Sequence, residues 1–169
     1  PGYGSSTRQE GRNLASVVDD TIEVLDALGA DSAWVLGWSG GGPHALACAA
    51  LMPDRVRGTA VIGCVAPYDA AGLDFLDGMG EENIEEFSAA LEGPDALIGF
   101  KERAWPSFRQ ITAPEITAGL GDLVDDVDRS SISGGFAGWL ADILQDGLRE
   151  SYWGWFDDEM LCVRGWGFD

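Results

Sequence analysis

One short stretch carries residue types and spacing suited to covalent chemistry: Gly37-Trp38-Ser39-Gly40-Gly41. A serine with glycine two residues before and two after it can stand at the tip of a very tight turn. A hydroxyl held there can attack a carbonyl, provided a base takes its proton. In a chain with 24 glycines the pattern alone is weak. Its surroundings strengthen it. An apolar strand, Ala33 to Gly37, runs directly into it, and Pro43 opens a helix of small residues over 44–52 directly after it. The start of that helix offers free N–H groups and a partial positive charge. The Gly40 N–H is expected to face a developing oxyanion, a donor whose loss typically slows such reactions about 100- to 1,000-fold. A phosphate-binding turn fits less well, because neither G-x-G-x-x-G nor a following Gly-Lys-Ser/Thr is present.

A serine nucleophile needs a base, and the chain holds a single histidine, His44. Five residues of helix past Ser39 turn it by a net angle of about 140° and raise it by about 7.5 Å. His44 is therefore expected to be a partly buried helix residue rather than the base.

The elements that must position the serine read as α/β. Leu14, Val17, Val18, Ile22, Leu25 and Leu28 recur at helical spacing, and Gly29 is placed to stop that helix. Strand, turn and small-residue helix follow, then Pro53-Asp54, then a second apolar strand over 59–65. Two nearly continuous apolar strands separated by a helix predict a parallel sheet covered on both faces. After Tyr68 the pattern becomes helical and polar, with helices expected at about 81–91, 94–104, 114–127 and 136–150. A short strand is expected at Met160-Leu161-Cys162-Val163. The many aromatics of this region, Trp105, Trp139 and Trp155 among them, are expected to form its own small core; Trp38 is placed to line a substrate pocket.

Charge separates the same two regions. Residues 1–68 carry seven acids against four bases, and 69–169 carry 22 against six. The net charge of −19 argues against nucleic-acid partners and against an anionic membrane surface. Three widely spaced cysteines (Cys48, Cys64 and Cys162) and one histidine make no metal site, so no metal and no cofactor is expected. Nothing in them calls for an oxidising compartment, and a cytoplasmic location is expected. No run of apolar residues is long enough to span a bilayer.

Taken in order, these motifs resemble the α/β-hydrolase family. Pro1-Gly2-Tyr3-Gly4-Ser5 looks like the loop after its fourth strand, and Val35 through Pro43 like its nucleophile strand, turn and helix start. Leu51-Met52-Pro53-Asp54-Arg55-Val56 looks like the exit from that helix, and Val65-Ala66-Pro67-Tyr68 like the end of the next core strand. The likeness covers 1–68, a partial core; 69–169 match in kind, as a mostly helical cap. The resemblance implies a serine hydrolase acting on a small apolar ester-like substrate, with Ser39 as nucleophile and Gly40 as one oxyanion donor. It implies that epoxide hydrolases and haloalkane dehalogenases, which use an aspartate nucleophile, are a poorer match. It also places the second oxyanion donor before Pro1, and the histidine and usual acid past Asp169. The chain then reads as an internal piece of a longer one, with little turnover by itself and with sheet edges inviting self-association. Asp69 occupies the place where some members carry the triad acid; an ordinary loop role is the stronger expectation. The alternative is a non-catalytic binding or scaffold protein of the same fold.

Overall fold

The structure is a computed structural model that describes residues 1–120 and 124–168. Its elements run α1 (Ser16–Ala27), β1 (Ala33–Trp38), a 3-10 turn (Ser39–Gly41), α2 (Gly42–Leu51), β2 (Val56–Ile62), α3 (Glu81–Glu92), α4 (Pro94–Phe108), α5 (Ala113–Leu120), α6 (Asp126–Ser131), α7 (Gly135–Leu148) and α8 (Trp153–Cys162). They form two compact units. One comprises residues 10–77 and 157–169, the other 1–9 and 78–156. These units group the chain differently from a cut after Tyr68: its last residues lie with the sheet unit and its opening residues with the helices.

In the sheet unit, β1 and β2 pair in parallel, from Trp34 opposite Gly58 to Trp38 opposite Ile62. A parallel pair needs a crossover, and α2 supplies it, packed against both strands with α1 packed on α2. The core comprises Leu14, Val18, Leu25, Ala47, Cys48, Met52 and Leu161. Small residues let α2 lie close to the strands, as its composition predicted: Ala45, Ala47 and Cys48 are buried. α1 ends as Gly29 predicted. Gly29 adopts φ 65°, its N–H donates to the Asp26 carbonyl, and the Ala30 N–H reaches the Leu25 carbonyl. Arg55 then secures the loop into β1, donating to the carbonyls of Ala30 and Asp31 and to Asp26 Oδ1.

Three expectations need correction. The sheet is not covered on both faces: Trp34 and Leu36 are 73% and 66% exposed, because α1 and α2 share one side. The run 160–163 is not a strand. Met160 to Cys162 close α8, where they and Val163 are buried. Four apolar residues fit a short strand or the inner turn of a buried helix equally well, and the flanking Trp153–Glu159 helix decides for the latter. The helix expected at 114–127 is two elements, α5 and α6, with Asp125 capping α6 by accepting the N–H groups of Val127 and Asp128; Leu123 of that helix lies outside the described residues.

The second unit is held by helix packing. Ile116, Ala137, Leu140 and Ala141 form one cluster between α5 and α7. Many of its aromatics contact one another, as expected, but Trp139, expected in that core, is 53% exposed and stacks on Phe136 at 5.4 Å. Trp155 meets Phe100 edge-on at 6.2 Å and Phe108 at 5.0 Å, and Trp105 meets Tyr152 at 6.0 Å. Lys101, the chain's single lysine, is fully buried between α3 and α4. It pairs with Glu86 and lies 3.5 Å from the centre of the Trp155 ring.

Candidate active site

Ser39 is where the strand becomes a helix within one residue. Trp38 is still extended at φ −120° and ψ 134°, and Gly41 and Gly42 are already helical. Ser39 takes up the change of direction at φ 51°, the one non-glycine residue with positive φ among those described. A side chain in that region is held against a strain of about 1–3 kcal/mol, and such strain persists only where surroundings enforce it. Ser39 is exposed, so the turn presents its hydroxyl outward instead of burying it.

The enforcing contacts differ from those expected. Gly37 is indispensable for space: a Cβ there would lie 2.6 Å from the Gly41 carbonyl oxygen and 2.8 Å from the Ala45 Cβ. Gly41, on the other side of the serine, has open space around it. The close approach falls one residue later, at Gly42, where a Cβ would lie 2.1 Å from Cys64 Sγ. The Cys64 thiol donates to the Val65 carbonyl at 2.9 Å, and burial pushes its pKa up. The crowded glycines are thus the second before Ser39 and the third after it. Gly40 is half-buried, and a Cβ there would meet nothing within 4 Å. Trp38 is 48% exposed beside it.

His44 sits on the first turn of α2, partly buried as expected, with its side chain 17% exposed. Its Nε2 lies 2.9 Å from Asp158 Oδ1, an oxygen that also receives the Arg12 guanidinium at 2.5 Å. Burial pushes the Asp158 carboxyl up, but the hydrogen bond and charge of His44, together with Arg12, outweigh it and hold the carboxyl below its ordinary value. Ionised Asp158 only accepts, so Nε2 carries the proton. This cluster escaped the sequence reading. Arg12 lies before the first helical period and Asp158 is one acid among 29; no local pattern joins residues 114 and 146 positions apart. Asp69, the other carboxylate singled out, is exposed in a turn.

Comparison with known proteins addresses this strand, turn and helix directly. The family model described as "alpha/beta hydrolase fold" matches residues 1–89. The chain belongs to the α/β-hydrolase fold family. Curated relatives include "Epoxide hydrolase B" of Mycobacterium tuberculosis, in strains ATCC 25618 / H37Rv and CDC 1551 / Oshkosh. Each is 36% identical over 98 residues, which cover 55% of this chain and 27% of the relative. A solved "Alpha/beta hydrolase fold protein from Nakamurella multipartita" is 25% identical, with a TM-score of 0.51. The match covers 97% of this chain and 56% of that one. The chain thus spans about a quarter of the curated relatives' length and about half of the structural neighbour's.

Proposed function

We propose that this chain is the nucleophile-bearing portion of a serine hydrolase, with Ser39 as nucleophile and the Gly40 N–H as one oxyanion donor. The observation that carries the reading is the Ser39 backbone. A strained, exposed serine at φ 51° is retained where the unstrained choice would be glycine. The catalytic histidine and acid belong to residues beyond this chain, since His44 has Nε2 on Asp158 and a buried Nδ1 with no hydrogen-bond partner, which leaves neither nitrogen for the exposed Ser39 hydroxyl. The setting proposed is cytoplasmic, in keeping with three free cysteines.

The nucleophile also selects the substrate class. Attack by Ser39 on an ester's carbonyl carbon breaks the bond to the alcohol, which leaves with the serine's proton passed on by the base, and forms an acyl-enzyme ester, whose carbonyl water can attack in turn to release the acid and regenerate the hydroxyl. Attack by the same oxygen on an epoxide carbon would form an ether. An ether offers water no carbonyl, and turnover would stop. A carboxylate nucleophile avoids this, because its adduct with an epoxide is itself an ester. The serine therefore favours small ester-like acyl substrates over the epoxides named for the mycobacterial relatives.

The test is a fluorophosphonate probe applied to the complete gene product. Labelling that disappears in Ser39→Ala supports the reading; a wild-type protein that is folded and unlabelled overturns it.

A further inference from the structure

The Arg12–His44–Asp158 cluster is no part of the nucleophile turn, yet it is built on the helix that follows the turn. We propose that Asp158 is a positioning residue for Ser39, acting through His44 to fix the first turn of α2. Its effect on rate rests on the reading of Ser39 as nucleophile; its effect on backbone geometry does not.

The stretch Gly40-Gly41-Gly42 has no side chains to pack, and α2 has no side-chain cap and no acidic residue in its first turn. The Ser39 carbonyl is joined to the helix by the Gly42 N–H. What holds this end of the helix must therefore come from contacts on Gly37, Gly42 and the first long side chains beyond them. Pro43 is buried but has no donor. His44 is the first side chain after Ser39 with a polar group, and Asp158 Oδ1 is its partner.

The partner is itself fixed. Arg12, 5% exposed, grips the same carboxylate oxygen from the segment before α1. A carboxylate held by one histidine could follow the helix if the helix moved. One also held by a buried guanidinium resists that movement. Leu14 and Leu161, close to Arg12 and Asp158 in sequence, both lie in the core that α2 shares through Ala47 and Cys48. The acceptor is thus anchored beside the buried core, whereas Ser39 is exposed and Gly40 and Gly41 have no side chain to pack.

The experiment uses the complete gene product with Asp158→Ala, His44→Ala and His44→Gln. Glutamine keeps an N–H donor of similar reach to Nε2 and removes the ring. Two quantities are read on folded protein: deuterium exchange at the amides of Gly42, His44 and Ala45, and the fluorophosphonate labelling rate at saturating probe. Asp158→Ala and His44→Ala are expected to speed exchange at these amides at least about tenfold and to slow labelling about 10- to 100-fold, the range for a displaced nucleophile. Exchange in β1 and the probe concentration giving half-maximal rate should stay unchanged, and His44→Gln should recover most of the loss. Wild-type exchange and labelling in folded His44→Ala overturn the proposal, because a cluster that only stabilised the fold would lower melting temperature and leave these rates alone. If Asp158→Ala does not fold, the two His44 variants decide. If wild-type Ser39 does not label, the nucleophile reading fails, and exchange alone still settles the positioning role.

Discussion

Each unit buries a lysine, arginine or histidine against a carboxylate, and the two do so in opposite ways. Between α3 and α4, Lys101 and Glu86 come from successive helices and sit buried beneath Trp155. In the sheet unit, Asp158 is shared by Arg12 and His44, keeps 23% of its side chain exposed, and joins three separate stretches of chain. A fully buried pair is unforgiving, since removing the carboxylate takes a close countercharge from a cation that solvent does not reach. A shared, partly wet carboxylate tolerates the loss of one contact, because another remains. The first arrangement specifies how two neighbouring helices meet. The second ties the helix that follows a candidate nucleophile to distant segments.

The sharpest way to break this contrast is Glu86→Gln. It leaves the Lys101 charge buried and should cost about 3–5 kcal/mol in denaturant unfolding, whereas Lys101→Met combined with Glu86→Leu should recover most of it. A small loss in the single variant would show that water reaches the site and that the contrast is false.

Asp158→Asn should cost less at neutral pH, about 1.5–3 kcal/mol, as expected for hydrogen bonds to a charged group. Its pH dependence carries more information. The folded carboxyl titrates below its unfolded value, so the ionised form contributes stability above about pH 4, and that contribution is lost as pH falls through the lowered folded value. Melting temperatures taken downward from pH 5 should therefore converge for wild type and Asp158→Asn. A gap that stays constant into acid would remove Asp158 as its source.

Gly42→Ala should destabilise by about 1–3 kcal/mol through overpacking against Cys64, and Cys64→Gly in the same chain should relieve part of it. Additivity of the two in chemical denaturation would refute the close approach. The smallest effect belongs to Arg103→Ala. Its partner Glu85 is one residue from Glu86 on the same helix pair, but both side chains are more than 60% exposed. Loss of that pair should leave the melting temperature unchanged within error, which isolates burial as the variable.

Local patterns made much of the fold legible. α1, β1, α2 and β2 are each named by apolar period, glycine or proline, and all lie within a few residues of their expected places. The serine turn was legible for the same reason, since strand, turn and helix are consecutive in the chain. The strand expected at 160–163 failed because four apolar residues carry no period of their own. The glycine roles failed more subtly. Three glycines in a row look alike, and which one is crowded depends on Cys64, which lies beyond the next strand.

By itself, the sequence determined the serine turn and the elements on either side of it, because backbone preferences and hydrophobic periods act over a few residues. It also determined the uneven charge, which needs only counting. Tertiary structure alone decided that residues 157–168 return to the sheet unit, that one sheet face is open, and that His44 belongs with Arg12 and Asp158. Those outcomes depend on groups more than a hundred residues apart meeting in space. Such meetings follow from how whole helices pack, and a lone arginine, histidine or aspartate carries no trace of its partner.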